Sequence, residues 1–230
     1  MLTQVAMHSG LPAQPALAVR RAVPSVTTHA LSGPIEMTGA SMSFARNAEI
    51  YGENEPADYL YKVVSGAVRT YKVLSDGRRQ IGAFYLPGDM FGLELGEEHA
   101  FSAEAITDTK VLVIRRSAVV GLAERDNAVA RQLWALTGRE LKRVQDHLLL
   151  LVKTAQERVV SFLLEMSARM PAGNTVELPM SRQDIADYLG LTIETVSRTL
   201  THLASTAAIE LPRSRHIVLR NRAALGRLNG

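Results

Sequence analysis

Residues 181–203 read SRQDIADYLGLTIETVSRTLTHL, and their spacing decides the fold. Ser181 is a helix N-cap residue, and Asp184, three positions on, is a capping-box partner. Ile185, Ala186 and Leu189 supply the inner face of a first short helix. Gly190 allows the left-handed turn that other residues disfavour. Thr192 caps a second helix, with Thr195 three residues later. Val196, Leu200 and Leu203 fall at i, i+4 and i+7 and face inward. The outward face near the second N-terminus is therefore Ile193, Glu194, Ser197 and Arg198. On an arbitrary helix, Glu194 and Arg198 would be a solvated pair worth about 0.2–0.5 kcal/mol. In a helix-turn-helix the same positions enter the DNA major groove. There an Arg donates two hydrogen bonds to guanine, a Glu accepts from cytosine, and an aliphatic chain packs on a thymine methyl. Both caps, the glycine turn and the inward stripe favour the second reading. The two readings also cooperate, with Glu194 orienting Arg198. Ser181, Arg182, Gln183, Thr192 and Thr195 then fall where phosphates would lie.

The flanks agree. Downstream, Ile209–Leu211 and His216–Arg220 read as β segments around the turn Pro212-Arg213-Ser214-Arg215, a wing. Upstream, a helix over 154–169 is broken at Pro171-Ala172-Gly173-Asn174, and Thr175–Leu178 is a short extended piece. Residues 154–230 thus predict a winged helix-turn-helix. This region carries nine Lys/Arg against seven Asp/Glu, while residues 51–125 carry nine against eleven. From Leu211 onward there are five arginines (Arg213, Arg215, Arg220, Arg222, Arg227) and no acid. A basic end beside a slightly acidic middle permits a nucleic-acid partner.

Before this domain the period is heptad-like. Trp134, Leu141, Val144, Leu148 and Leu151 keep spacings of three, four and seven among polar neighbours, which predicts a helix over 127–153 with a dimer seam. Residues 31–126 form a domain of short β segments. YLYKVVSGAVRTYKVLSDGRRQIGAFYLPGDMFG alternates, with turns at Ser65-Gly66, Asp76-Gly77 and Pro87-Gly88, and KVLVIRR (110–116) is a further strand. The class is α+β, with an antiparallel β-roll ahead of the helix. Residues 1–30, with Pro12, Pro15 and Pro24 and no acid before Glu36, read as a flexible leader.

Composition excludes several functions. The 230 residues include no cysteine, so there is no disulfide, thiolate zinc site, cysteine-ligated iron–sulfur cluster or cysteine nucleophile. No apolar run reaches the ~18 residues of a membrane span, and a cytoplasmic location is expected. No nucleophile–base pair, phosphate-cradling glycine loop or metal-ligand cluster stands out, so the chain reads as no enzyme.

SRQDIADYLGLTIETVSRTL resembles the helix-turn-helix of Crp/Fnr transcription regulators. In the Fnr branch the recognition helix carries E-x-x-S-R, here Glu194, Ser197 and Arg198. GAVRTYKVLSDGRRQIGAFYLPGDMFG resembles the same family's β-roll sensor domain, including the P-G-D-x-F-G turn. The resemblance runs from about Met42 to Leu225 and is strongest to the FixK type of α-proteobacteria. It implies a homodimer that binds double-stranded DNA at a TTGA–spacer–TCAA palindrome, recruits RNA polymerase and governs genes for low-oxygen respiration and nitrogen fixation. Two departures matter. The cysteines that hold Fnr's oxygen-sensing cluster are absent. The catabolite-activator branch binds cyclic AMP through an Arg-Ser pair and a nearby Glu, but here Phe101-Ser102 stands for Arg-Ser and Leu93 replaces the Glu. The resemblance therefore implies no nucleotide cofactor. The runner-up is a regulator gated by another small effector in the roll. His99, alone in its loop, reads as structural or solvent-exposed and not as a haem or metal ligand.

Overall fold

Eight short strands build the roll: β1 (Ala40–Phe44), β2 (Glu49–Tyr51), β3 (Tyr59–Ser65), β4 (Val68–Val73), β5 (Arg79–Tyr85), β6 (Met90–Phe91), β7 (Ser102–Ala105) and β8 (Thr109–Arg115). They pair antiparallel into two four-stranded sheets, ordered β1-β8-β3-β6 and β2-β7-β4-β5. The computed structural model describes Ile35 and residues 38–94, 96–170 and 173–229; the expected leader over 1–30 lies outside these residues. Between the sheets, Tyr51, Tyr61, Val63, Val68, Ala83, Tyr85, Phe91, Ala103 and Val111 form one core. The three glycine turns close as expected. At Gly66 (φ 84°) a Cβ would sit 2.5 Å from the Asp108 carbonyl, so the β3–β4 turn admits only glycine. Alternation along 68–73 slips once, and the pairing register of β4 with β5 shifts between Thr70 and Tyr71.

The helical part begins at Arg116, eleven residues before the expected start at 127, and the preceding strand ends one residue earlier than expected. Arg116, read as strand, starts α1 (Arg116–Ala123), an element the sequence reading lacks. α2 runs Asn127–Leu150, capped by Asp126, and ends three residues short of Lys153. Leu151 is its C-cap residue and keeps right-handed helical angles, so it extends the seam by one position. One side of α2 buries Val129 and Leu136 in a core with Ile35, Leu60, Met90, Ile114 and Val119. The other side is bare: Trp134 is 82% exposed, Leu141 58%, Leu148 57%, and Val144, Leu149, Leu151 and Val152 are exposed too. Among the described residues no helix is long and apolar enough to cross a membrane.

The C-terminal domain comprises α3 (Ala155–Arg169), β9 (Thr175–Glu177), α4 (Arg182–Leu189), α5 (Ile193–Ser205), β10 (Ile209–Arg213), β11 (His216–Leu219) and α6 (Arg222–Leu228). The three strands pair in the order β10-β11-β9. Pro212 lies inside β10, on the sheet edge, where the register shifts between Glu210 and Arg213. α6 is the second helix without a sequence expectation. The core of this domain continues into the roll: Phe162, Leu163, Tyr188, Leu189, Val196 and Leu203 form one buried cluster with Ala67, Ile81, Phe84, Leu86 and Ile106.

Candidate nucleic-acid interface

α4 and α5 are held by their caps. The Ser181 hydroxyl accepts from the Asp184 amide, while the Asp184 carboxylate accepts from the Ser181 amide (2.9 Å) and hydroxyl (2.8 Å), a complete capping box. Gly190 turns the chain at φ 63°; a Cβ there would have 3.6 Å to the nearest atom, so the demand is conformational and not steric. The Thr192 hydroxyl accepts from the Thr195 amide at 3.2 Å and starts α5. Val196, Leu200 and Leu203 are buried, as are Ile185, Ala186 and Leu189. Packing these stripes together leaves Ile193, Glu194 and Arg198 exposed and Ser197 half-buried, all on the first two turns of α5.

The side chains around that face are arranged differently from expectation in three respects. Glu194 and Arg198 form no ion pair. A hydrogen bond to its own amide, the Thr192 hydroxyl and, last, the Arg198 charge hold the Glu194 carboxyl below its ordinary range. Arg182 reaches across to the recognition helix, where its Nη1 donates to the Ser197 hydroxyl at 3.2 Å. Gln183 donates to Asp187 at 2.6 Å. Three of the five C-terminal arginines have intramolecular work: Arg215 donates to the Pro179 carbonyl, Arg220 pairs with Glu210, and Arg222 bonds Asn174 and the Gly173 carbonyl. The basic end is thus largely the cement of the wing, and the charge count overstated its free positive surface.

The sequence reading also missed a group of ionic contacts that joins this domain to the roll. Arg69 of β4 binds Glu104 of β7 (2.7 Å) and Asp184 of α4 (3.1 Å). Arg79 of β5 binds Asp184 (2.6 Å) and Asp187 (2.7 Å). One Asp184 oxygen caps α4 while the other takes both arginines. Burial would raise the Asp184 carboxyl, but the Ser181 hydrogen bonds and the two arginines hold it below the usual range. Arg169 of α3 adds a contact to Asp89 (2.6 Å) and to the Phe84 carbonyl.

Residues 157–228 match the Crp-like helix-turn-helix domain model, and residues 41–126 match the cyclic nucleotide-binding domain model. The nitrogen fixation regulation protein FixK of Azorhizobium caulinodans is 54% identical over 197 residues, which cover 83% of this chain and 79% of that one. The chain belongs to the Crp/Fnr family of transcription regulators, in its FixK group. FixK of Rhizobium meliloti is 44% identical over 196 residues, 84% of this chain and 90% of that one. The solved structure of FixK2 from Bradyrhizobium japonicum superposes with a TM-score of 0.81 at 54% identity, over 84% of this chain and 98% of that one. Like its relatives, this Crp/Fnr protein is a DNA-binding transcription regulator and not an enzyme.

Within a Crp/Fnr roll the residues do not fit a cyclic nucleotide. Between the roll and α2 lies a cavity of about 540 Å³, walled by Ile81, Ala83, Leu93 and Phe101. The Phe101 ring lies against the backbone of Gly82, where a Cβ would come within 3.0 Å of it. The Ser102 hydroxyl faces the other way and accepts from the Glu53 amide at 2.9 Å. Arg143 enters the cavity from α2, but Glu140 pairs with it at 3.1 Å and the Tyr85 ring lies 4.8 Å beneath it. An anionic phosphate would meet an aromatic ring and the carboxylates of Glu94 and Glu140, an unfavourable desolvation. His99 is buried, stacked on Tyr51 at 3.5 Å and 3.4 Å from Glu94, which overturns the solvent-exposed reading.

Proposed function

We propose that this Crp/Fnr regulator acts as a homodimer that binds TTGA–spacer–TCAA palindromes with no nucleotide effector. It would recruit RNA polymerase in the cytoplasm and activate genes for low-oxygen respiration and nitrogen fixation. The observation that carries the reading is the exposed Glu194–Ser197–Arg198 face at the capped N-terminus of α5. Arg198 supplies the bidentate donor for guanine, Glu194 the acceptor for cytosine, and Ile193 a contact for a thymine methyl. Ser181, Arg182, Gln183, Thr192 and Thr195 ring that face as phosphate contacts. The bare stripe Trp134–Leu141–Val144–Leu148–Leu151 supports the dimer, because a two-fold partner covers it with the same stripe. The names of the relatives support the physiology: FixK is a nitrogen fixation regulation protein, and Anr of Pseudomonas aeruginosa, 33% identical, is a transcriptional activator.

Selection from a random duplex library tests the site. Recovery of TTGA and TCAA half-sites about one helical turn apart supports the reading, and recovery of an unrelated or single half-site refutes it. A second reading rests on one observation. Among the described residues, the Tyr51 hydroxyl and His99 Nε2 are buried beside the roll cavity without hydrogen-bond partners, and His99 Nδ1 meets one buried Glu94 oxygen only at 3.4 Å. A small non-nucleotide effector would satisfy them, and a gain in DNA affinity on adding a metabolite extract to purified protein would favour that reading.

A further inference from the structure

We propose that Arg69 and Arg79 of the β-roll are positioning residues for DNA binding: through Asp184 and Asp187 they hold α4 and cancel the acidic charge it brings to the phosphate-facing side of the helix-turn-helix. The inference rests on the reading that α4 and α5 face DNA. α4 is eight residues long and carries Arg182, Asp184 and Asp187, a net negative helix at the edge of a polyanion site. Its partners are intramolecular but distant in sequence. Arg69 and Asp184 are nearly sealed, with side chains 10% and 4% exposed, and Arg79 and Asp187 are 26% and 12% exposed. Counting both arginines together with Glu104, which shares Arg69, the cluster changes from net negative to neutral. The geometry allows no alternative assignment of these charges: Arg69 is forked between Glu104 and Asp184, and Arg79 between Asp184 and Asp187.

The roll therefore contributes to DNA affinity without touching DNA. Other contacts also dock α4: Tyr188 packs against Phe84 at 5.2 Å, and Gln80 donates to the Tyr188 carbonyl. What the arginines add is charge. Removing one exposes a carboxylate within the reach of the phosphates, and at the ~10 Å screening length of 0.1 M salt that repulsion is felt. The same geometry makes the roll a control point, because any shift of β4 or β5 that opens these pairs lowers affinity for every sequence.

The test is fluorescence anisotropy of the full chain on a TTGA–TCAA duplex and on a scrambled duplex, across a salt series. Arg79→Gln should weaken binding to both duplexes by roughly tenfold at low salt, with the loss shrinking as salt rises. Arg79→Gln with Asp187→Asn should recover most of it, and Arg79→Lys should lose little. Asp187→Asn alone should bind both duplexes a few-fold tighter, so the proposal is decided even if Arg79→Gln folds poorly. Unchanged affinity in Arg79→Gln or in Asp187→Asn would overturn it, as would a loss that the second substitution does not repair. Tighter binding by Arg79→Gln would show that the contacts hold the domain away from DNA, which is the opposite of the proposal. Failure of the palindrome reading shows separately, as equal affinity of the unsubstituted protein for the two duplexes.

Discussion

Replacing Leu141 and Leu148 by alanine should convert the proposed dimer to folded monomers. In one chain these side chains are 58% and 57% exposed, so a partner has that fraction left to bury. Fully burying a leucine is worth about 1.5–3 kcal/mol, so each gains roughly 1–1.7 kcal/mol in the dimer. Two leucines on each of two protomers then contribute about 3.5–7 kcal/mol, most of it lost when only Cβ remains. A loss of about 3–5 kcal/mol weakens association roughly 100- to 5,000-fold. The intramolecular side of α2, with Val129, Leu136 and Leu150, is untouched, so the monomer keeps its fold. Sedimentation equilibrium of the double variant beside the unsubstituted protein reads the change directly, and circular dichroism checks the fold. A dimerisation constant within tenfold of the unsubstituted value would refute the argument, because the stripe would then lie outside the interface.

Three further outcomes follow from the interface and its ionic contacts. Arg198→Ala should cost about 1–3 kcal/mol on the palindrome and little on scrambled DNA, by anisotropy; equal losses on both would make Arg198 a phosphate contact only. Arg182→Ala should weaken both DNAs alike and lower the salt slope by about one; because its guanidinium also bonds Ser197, a loss confined to the palindrome would assign it to orienting the recognition helix instead. Asp184 has a depressed carboxyl, so its stabilisation is present above the ordinary carboxylate range near 3.9 and is lost as pH falls through and below that range. Asp184→Asn should therefore flatten the acid limb of a melting-temperature profile, and an unchanged limb would remove Asp184 from the account.

The helix-turn-helix was legible because several local signals agree over twenty residues: two side-chain caps, one glycine at positive φ and two inward stripes. The roll was legible from its glycine turns, but the slip at Thr70–Tyr71 shows only in the pairing register of β4 with β5. α1 was not legible, since Arg115 precedes it and makes no side-chain cap hydrogen bond to mark a start. α6 is seven residues long with a glycine inside, too short for a periodic signal. The Arg69–Asp184 and Arg79–Asp187 pairs join residues 115 and 108 apart, and no local pattern encodes such a meeting. The same holds for Arg182 and Ser197. Their helices were read correctly, but whether an outward arginine reaches solvent or its neighbour helix depends on how the two helices cross.

One titration tests specific DNA binding without a nucleotide. Purified protein is added to a TTGA–TCAA duplex, to the same duplex with one half-site scrambled, and to each again with millimolar cyclic AMP, while melting is followed in parallel. A nucleotide at 100 times its Kd would stabilise the fold by about 2.7 kcal/mol, a shift of several degrees at roughly 2–4 °C per kcal/mol. Tight binding to the intact palindrome by the protein alone, much weaker binding to the half-scrambled duplex, and no change in affinity or Tm with cyclic AMP are the expected results. Binding that appears only with cyclic AMP, accompanied by an upward Tm shift, would contradict nucleotide-free binding.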